Sequence, residues 1–251
     1  MSTPATASAG GSTEPPPLSQ AERVIDTFVA PTKTFTDIRR NASWWVPWLI
    51  VSIVGLGVVT LVDKKIGMDK VAENRLALAP KQAAKLDQLP PDQRARQMEL
   101  SAKITRWFAY GSPLWHLAIV AIIAAVLLGT FNFGFGAELE FKQCFAISNY
   151  AFLPGVIKAL LAVLTIMITG GEGFVFENPV TSNLGALVNP SSAGLYSLAS
   201  SVDIFVIWIL ILTGIGYSCV TRVKRSTCLG VVFGWWIFNS LLWAGVAALF
   251  N

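Results

Sequence analysis

Charge is almost absent from five long stretches of this chain: residues 41–62, 107–137, 143–171, 204–221 and 226–251. The third is interrupted only by Lys158. A helix crossing a hydrocarbon core of about 30 Å needs roughly 20 apolar residues, and each stretch meets or approaches that length. A soluble helical protein has room for one such run in its core, not for five. Backbone groups in lipid must be paired internally, so the crossing elements are helices. A β-barrel would instead alternate apolar and polar residues over segments of about 10 residues. The pattern predicts an all-α polytopic membrane protein, a bundle of five transmembrane helices near residues 44–62, 113–135, 144–169, 204–221 and 229–250.

Charged residues make up 14% of the chain, against about 25% in typical soluble proteins. The formal net charge is +4 and the pI about 9.1. The positive charges lie in segments flanking the spans, where they serve topology and lipid headgroups. No basic stripe of a nucleic-acid binder is present, and the lipid bilayer is the partner that composition implies.

Ahead of the spans, residues 1–18 are rich in Ser, Thr, Ala, Gly and Pro and are expected to be a disordered tail. Ala7-Ser8-Ala9 resembles a signal-peptidase site, but no apolar core precedes it. The first span is therefore expected to serve as an uncleaved signal. Residues 19–40 read differently. Ser19-Gln20-Ala21-Glu22 has the form of a capping box, and Ala21, Val24, Ile25, Phe28 and Val29 then fall on one helical face. Pro31 ends that helix, and Phe35 and Ile38 mark a second amphipathic turn. Two placements satisfy this pattern: helices lying in the headgroup layer, or helices packed on the inner ends of the spans. Residues 41–251 then form the five-span domain.

Trp44, Trp45 and Trp48 open the first span, as interfacial tryptophans do. The connection over residues 63–111 is long and polar. Pro91 suits a first helical position, so a helix is expected from Asp92 to Ala109, with a hinge at Gly111-Ser112-Pro113. Asn189-Pro190, in the Gly- and Asn-rich segment between spans three and four, reads as a helix start.

Five spans place the termini on opposite sides. With the N-terminus cytoplasmic and the C-terminus outside, Arg39, Arg40, Lys142, Arg222, Lys224 and Arg225 face the cytoplasm, in keeping with the positive-inside rule. Residues 63–111, with ten Lys/Arg, vote the other way. Cys144, Cys219 and Cys228 fall on the cytoplasmic side, where thiols stay reduced. Their spacing suggests neither a disulfide framework nor a metal site.

Lys158 is the leading candidate for chemistry, because an ionisable group inside a span is costly and usually faces the bundle interior. Asp203, at the outer start of span four, is its natural partner. Either the two line a substrate or proton path, or Lys158 snorkels outward, or an ion pair between them fastens spans three and four together. Glu138 and Glu140 are paired carboxylates in a short link, where solvation is the ordinary state. They would matter to catalysis only by converging with Asn149 in a cavity. His116 has no metal ligands near it in sequence, and no phosphate-binding loop, dinucleotide fingerprint or hydrolase elbow appears. No catalytic or metal-binding residue, cofactor or small-molecule substrate is predicted. Gly230 and Gly234 form a Gly-x-x-x-Gly face suited either to packing within the chain or to a dimer.

Several strings occur in a telling order. Phe28-Val-Ala-Pro31-Thr-Lys-Thr34-Phe35 precedes Trp44-Trp45-Val-Pro47. Phe141-Lys142-Gln143, Tyr150-Ala-Phe-Leu153-Pro154 and Asp203-Ile-Phe-Val-Ile-Trp208 follow. In this order the chain, from about Ala21 to its end, resembles the bacterial branch of the Yip1-domain family. That resemblance implies a five-span integral protein without established enzymatic activity, placed here in the cell's inner membrane. Eukaryotic relatives act in vesicle traffic, associate with Rab-type GTPases and form complexes with one another. It implies no catalytic residues. Tyr150 and Pro154 match its motif and are read as shaping span three. The expected role is to organise or recruit membrane components, alone, as an oligomer or with other membrane proteins. The alternative is a small transporter or channel using Lys158 and Asp203.

Overall fold

The computed structural model describes residues 16–250, and most of the expected N-terminal tail lies outside them. Its secondary structure is helical: α1 Gln20–Val29, α2 Pro31–Ile38, α3 Trp45–Lys65, α4 Met68–Ala77, α5 Pro80–Asp87 and α6 Pro91–Tyr110. Then come α7 Ser112–Phe135, α8 Phe141–Ala151, α9 Pro154–Thr169, α10 Ala193–Ser201, α11 Ile204–Val220 and α12 Arg225–Phe250, with a 3-10 turn at Leu184–Leu187. No strand occurs among the described residues. The fold is all-α and polytopic. By length and composition α3, α7, the α8–α9 pair and α12 can each cross a membrane, and α11 is a shorter apolar helix of 17 residues.

Local chemistry sets most of these boundaries. Ser19 and Glu22 close a reciprocal capping box on α1: the Glu22 amide donates to Ser19 Oγ at 3.2 Å, and the Ser19 amide to Glu22 Oε2 at 2.8 Å. The bonds from Ser19 hold the Glu22 carboxyl below its ordinary range. Pro31, Pro80, Pro91 and Pro154 each occupy a first helical position, where a missing N–H costs nothing. Gly136, at a left-handed φ of 63°, ends α7.

Two expected elements differ. Span three is not one helix but two. Pro154 cannot donate to Tyr150 O and its ring would crowd that carbonyl, so the chain turns at Phe152–Leu153. There Leu153 N bonds Tyr150 O at 3.1 Å and Gly155 N bonds Phe152 O at 2.9 Å. The helix anticipated from Asn189-Pro190 starts only at Ala193. Asn189 Oδ1 instead accepts from Ser191 N at 2.9 Å in a local turn.

Side-chain contacts set the packing directions. Phe152 meets the His116 ring with centroids 5.3 Å apart, and Asn132 bonds Leu139 near the other end, so α7 runs antiparallel to α8. Val58 and Val62 pack with Ile166, and Ile66 against Gly171, so α3 runs alongside α9. Lys158 meets Asp203 while Ile147 meets Gly216, making α11 antiparallel to α8 and α9. At one end of the bundle, here called proximal, lie the 136–140 and 221–224 links. Segment 170–192 lies at the distal end.

The main core gathers Phe35, Ile38, Leu127, Phe131, Ile147 and Tyr217 from α2, α7, α8 and α11. Phe131 and Tyr217 stack with centroids 4.7 Å apart. Of the two placements open for α1 and α2, the second describes α2: Phe35 and Ile38 are fully buried, and Phe28 reaches Trp208 at 5.8 Å. On α1, Ile25 and Val29 stay exposed.

Helices α10 and α11 succeed one another along α12. A Cβ on Gly194 would lie 3.0 Å from Ala248 Cβ, and one on Gly214 would lie 2.6 Å from Leu229 Cδ2 and 3.1 Å from Leu229 Cα. Gly214→Val is therefore expected to lower stability by about 1–3 kcal/mol through overpacking, read as a fall in melting temperature in detergent. Gly230→Val provides the contrast, because nothing lies within 4 Å of a Cβ there. Equal melting of the two variants would show that α11 and α12 do not touch at Gly214.

Candidate functional site

Three groups of polar side chains lie inside the bundle. The first contains the two residues singled out from the sequence. Lys158, in the second turn of α9, donates from Nζ to Asp203 Oδ2 at 2.9 Å. The Asp203 side chain is 1% exposed and that of Lys158 19%. Asp203 also caps α11: its Oδ1 accepts from Phe205 N at 2.8 Å and from Val206 N at 3.3 Å. Ser182 donates its hydroxyl to Oδ2 as well. Backbone bonds from Ile204 N to Ser182 O and from Leu184 N to Val202 O, both 3.2 Å, bind the distal segment to the same place. A carboxylate has about four acceptor positions, and Asp203 uses four. The site is a junction of α9, α11 and the distal segment, and it leaves no acceptor on Asp203 for a bound cation.

The second group escaped sequence reading. Arg23, fully buried, directs Nε at 2.7 Å and Nη2 at 2.6 Å to Asp37 Oδ2, and its Nη1 donates to Asn41 O at 2.8 Å. Thr27 and Thr34 both donate to Arg23 O, at 2.7 and 2.9 Å. One arginine thus joins α1, α2 and the approach to α3. The helix hairpin is tied to the bundle by Tyr150, whose hydroxyl donates to Gln20 Oε1 at 2.9 Å. In the sequence Arg23 passes for one more flanking positive charge. The available signal was its four-residue spacing from Thr27, which puts both on the face opposite the apolar stripe.

The third group lies on α8. Asn149 is fully buried, donates from Nδ2 to Phe145 O at 2.9 Å, and has the His116 imidazole beside it. Ser148 and Cys144, one turn apart, lie beside the Tyr217 hydroxyl of α11. Asn149 Oδ1, Ser148 Oγ and Tyr217 OH make no geometrically good hydrogen bond. Glu138 and Glu140 do not join this group. Both are exposed on the proximal link, and Glu140 closes a capping box on α8 with Gln143, its amide donating to Gln143 Oε1 at 3.1 Å. The convergence that acid–base chemistry with Asn149 would require is absent among these residues. Pro154 sits at the turn between α8 and α9, one helical turn before Lys158.

The glycine pair of α12 points away from the fold. Gly230 and Gly234 are exposed, and Gly234 borders an apolar groove of about 520 Å³ lined by Thr130, Phe135, Val231, Trp235 and Phe238. Trp235 Nε1 crosses that groove to Thr130 Oγ1 at 3.0 Å.

No curated protein and no solved structure matches the chain. The family model described as Yip1 domain does, over residues 25–247, which takes in α2 through the greater part of α12 and all three polar groups apart from the Arg23 side of the hairpin. With that span matched, and with an all-α membrane fold in place, the chain belongs to the Yip1 domain family.

Proposed function

We propose that this protein is a non-enzymatic multi-pass protein of the cell's inner membrane that organises or recruits membrane components. The observation that carries this reading is the state of the charges buried inside the bundle. Arg23 is neutralised by Asp37 and Lys158 by Asp203, and each pair joins structural elements. A transport path needs charges at depth that exchange partners with a cargo, and these two pairs are already engaged with one another. The lipid bilayer is one partner. The open face at Gly230 and Gly234 supports a second, a helix of another membrane protein or of another copy of this chain, since small residues let helices approach closely.

The test is to measure assembly and flux together in Lys158→Ala and Asp203→Asn variants. The organising role expects loss of folded protein with no specific transport defect. Variants that assemble normally but lose a defined ion or solute flux would make the protein a transporter.

The proposed orientation puts the proximal end in the cytoplasm, supported by Lys142, Arg222, Lys224 and Arg225 clustering there. Single cysteines at positions 85 and 186, in a chain lacking Cys144, Cys219 and Cys228, are expected to react with an impermeant reagent added to intact cells. Both positions are exposed, whereas neighbouring Gly185 is buried against Ser200. Protection at both positions, relieved by lysis, would invert the orientation.

A further inference from the structure

Helix α6 changes character along its length. Residues 91–99 are polar and almost all exposed. From Leu100 onward an apolar stripe appears at helical spacing and stays uncovered: Leu100 is 57% exposed, Ile104 46%, Trp107 81% and Phe108 59%. The opposite side is packed, with Ala102 and Ala109 against Val59, Met68 and Ala72 of α3 and α4. So α6 is docked on the fold by its small residues and presents its large apolar ones outward.

The stripe does not stop at the hinge. Phe108 and Trp115 stack across Gly111 with centroids 5.3 Å apart at an interplanar angle of 22°. Leu114 and Trp115 continue the same exposed face onto α7, and α7 is a spanning helix whose outward face meets lipid. Its 24 residues extend about 36 Å at 1.5 Å per residue, already longer than a hydrocarbon core of about 30 Å. Arg106 and Tyr110 of α6 reach Asp63 in the charged last turn of α3, so the stripe lies beside the end of that span, in the zone where acyl chains give way to headgroups.

Charges flank it accordingly. Arg94, Lys103 and Arg106 of α6 pair with Asp87, Glu99 and Asp63. Arg106 Nη2 and Tyr110 OH converge on Asp63, at 2.8 and 3.2 Å, fixing the end of α3 beside the stripe.

We infer that Leu100, Ile104, Trp107 and Phe108 of α6 insert into the headgroup–acyl boundary of the bilayer, making the second half of α6 an interfacial membrane-binding helix. The partner is the lipid surface. Continuity with the lipid face of α7 argues for it. Helices of this kind bury their apolar face about 5–10 Å into the boundary. The connection between the first two spans is thus held against the membrane rather than free in water.

The test uses the full chain without its native cysteines, reconstituted into vesicles of phosphatidylcholine and phosphatidylglycerol. Nitroxide labels on Leu100→Cys, Ile104→Cys, Trp107→Cys and Arg94→Cys are read for oxygen and nickel-chelate accessibility. The three stripe positions are expected about 5–10 Å below the phosphate plane, and position 94 above it. All four side chains are exposed, and Arg94 gives up only a surface ion pair with Asp87. Stripe labels as accessible to the chelate as position 94 would overturn the inference. So would spin–spin broadening at position 107, which would give the stripe to a second copy of the chain.

Discussion

Replacing Asp37 by alanine is expected to destabilise the protein by about 3–5 kcal/mol, the cost of stranding one member of a buried ion pair. Arg23 would then lie fully buried with the two donors that reach Asp37 deprived of that partner, its bond to Asn41 O remaining. The mirror change, Arg23→Met, should fall in the same range, because Asp37, 6% exposed, would be left buried without its partner. The double variant Arg23→Met/Asp37→Leu is expected to recover more than half of the loss. Apolar replacement of a buried pair is often close to neutral, but the Asn41 contact stays lost. Unfolding of all three in one detergent gives the cycle. Single-variant losses below about 1 kcal/mol, the range of an exposed ion pair, would show the hairpin to be solvated rather than packed into the bundle.

The junction at Asp203 should be graded in its sensitivity. Asp203→Ala removes the ion pair, the Ser182 bond and the helix cap together, so its cost should exceed about 3–5 kcal/mol for the pair by about 0.5–2 kcal/mol for the cap. Asp203→Asn keeps a capping oxygen for the two amides but puts an amide donor where Oδ2 accepts from Lys158 and Ser182. Lys158→Met leaves the carboxylate with three donors, Ser182 and the two amides, and should cost less than the alanine variant. Lys158→Met/Asp203→Asn, with no charge left to strand, is expected to be the most stable of the altered junctions. Denaturation midpoints in this order would mark the site as a fastener. Four equal midpoints would mean the pair does not form.

What could be read in the sequence divides by the range of the interaction. The Ser19–Glu22 box and the prolines opening α2, α6 and α9 act within one helical turn, so their residues sit side by side in the chain and are visible there. Lys158 and Asp203 were legible as a pair because charges are rare in such surroundings. Ser182 was not: nothing local tells a serine in a Gly- and Asn-rich segment that it will meet a carboxylate 21 residues on. Arg23 was missed for a different reason. A buried arginine and a surface one have the same neighbours in sequence, and in a protein that also needs positive flanks the surface reading comes first. The division of span three was signalled by Pro154. Its effect depends on whether neighbouring helices keep the segment straight, which only the packed bundle decides.

The buried arginine also sets an order of events during synthesis. Its pairing with Asp37 spans 14 residues, whereas the bond that ties the hairpin down, from Tyr150 to Gln20, spans 130. Short loops close first and long ones late. The hairpin is thus complete while the later helices are still unmade. Phe35 and Ile38 then wait uncovered until α8 and α11 arrive to receive them. A nascent chain halted before α8 lacks the helices that cover Phe35 and Ile38.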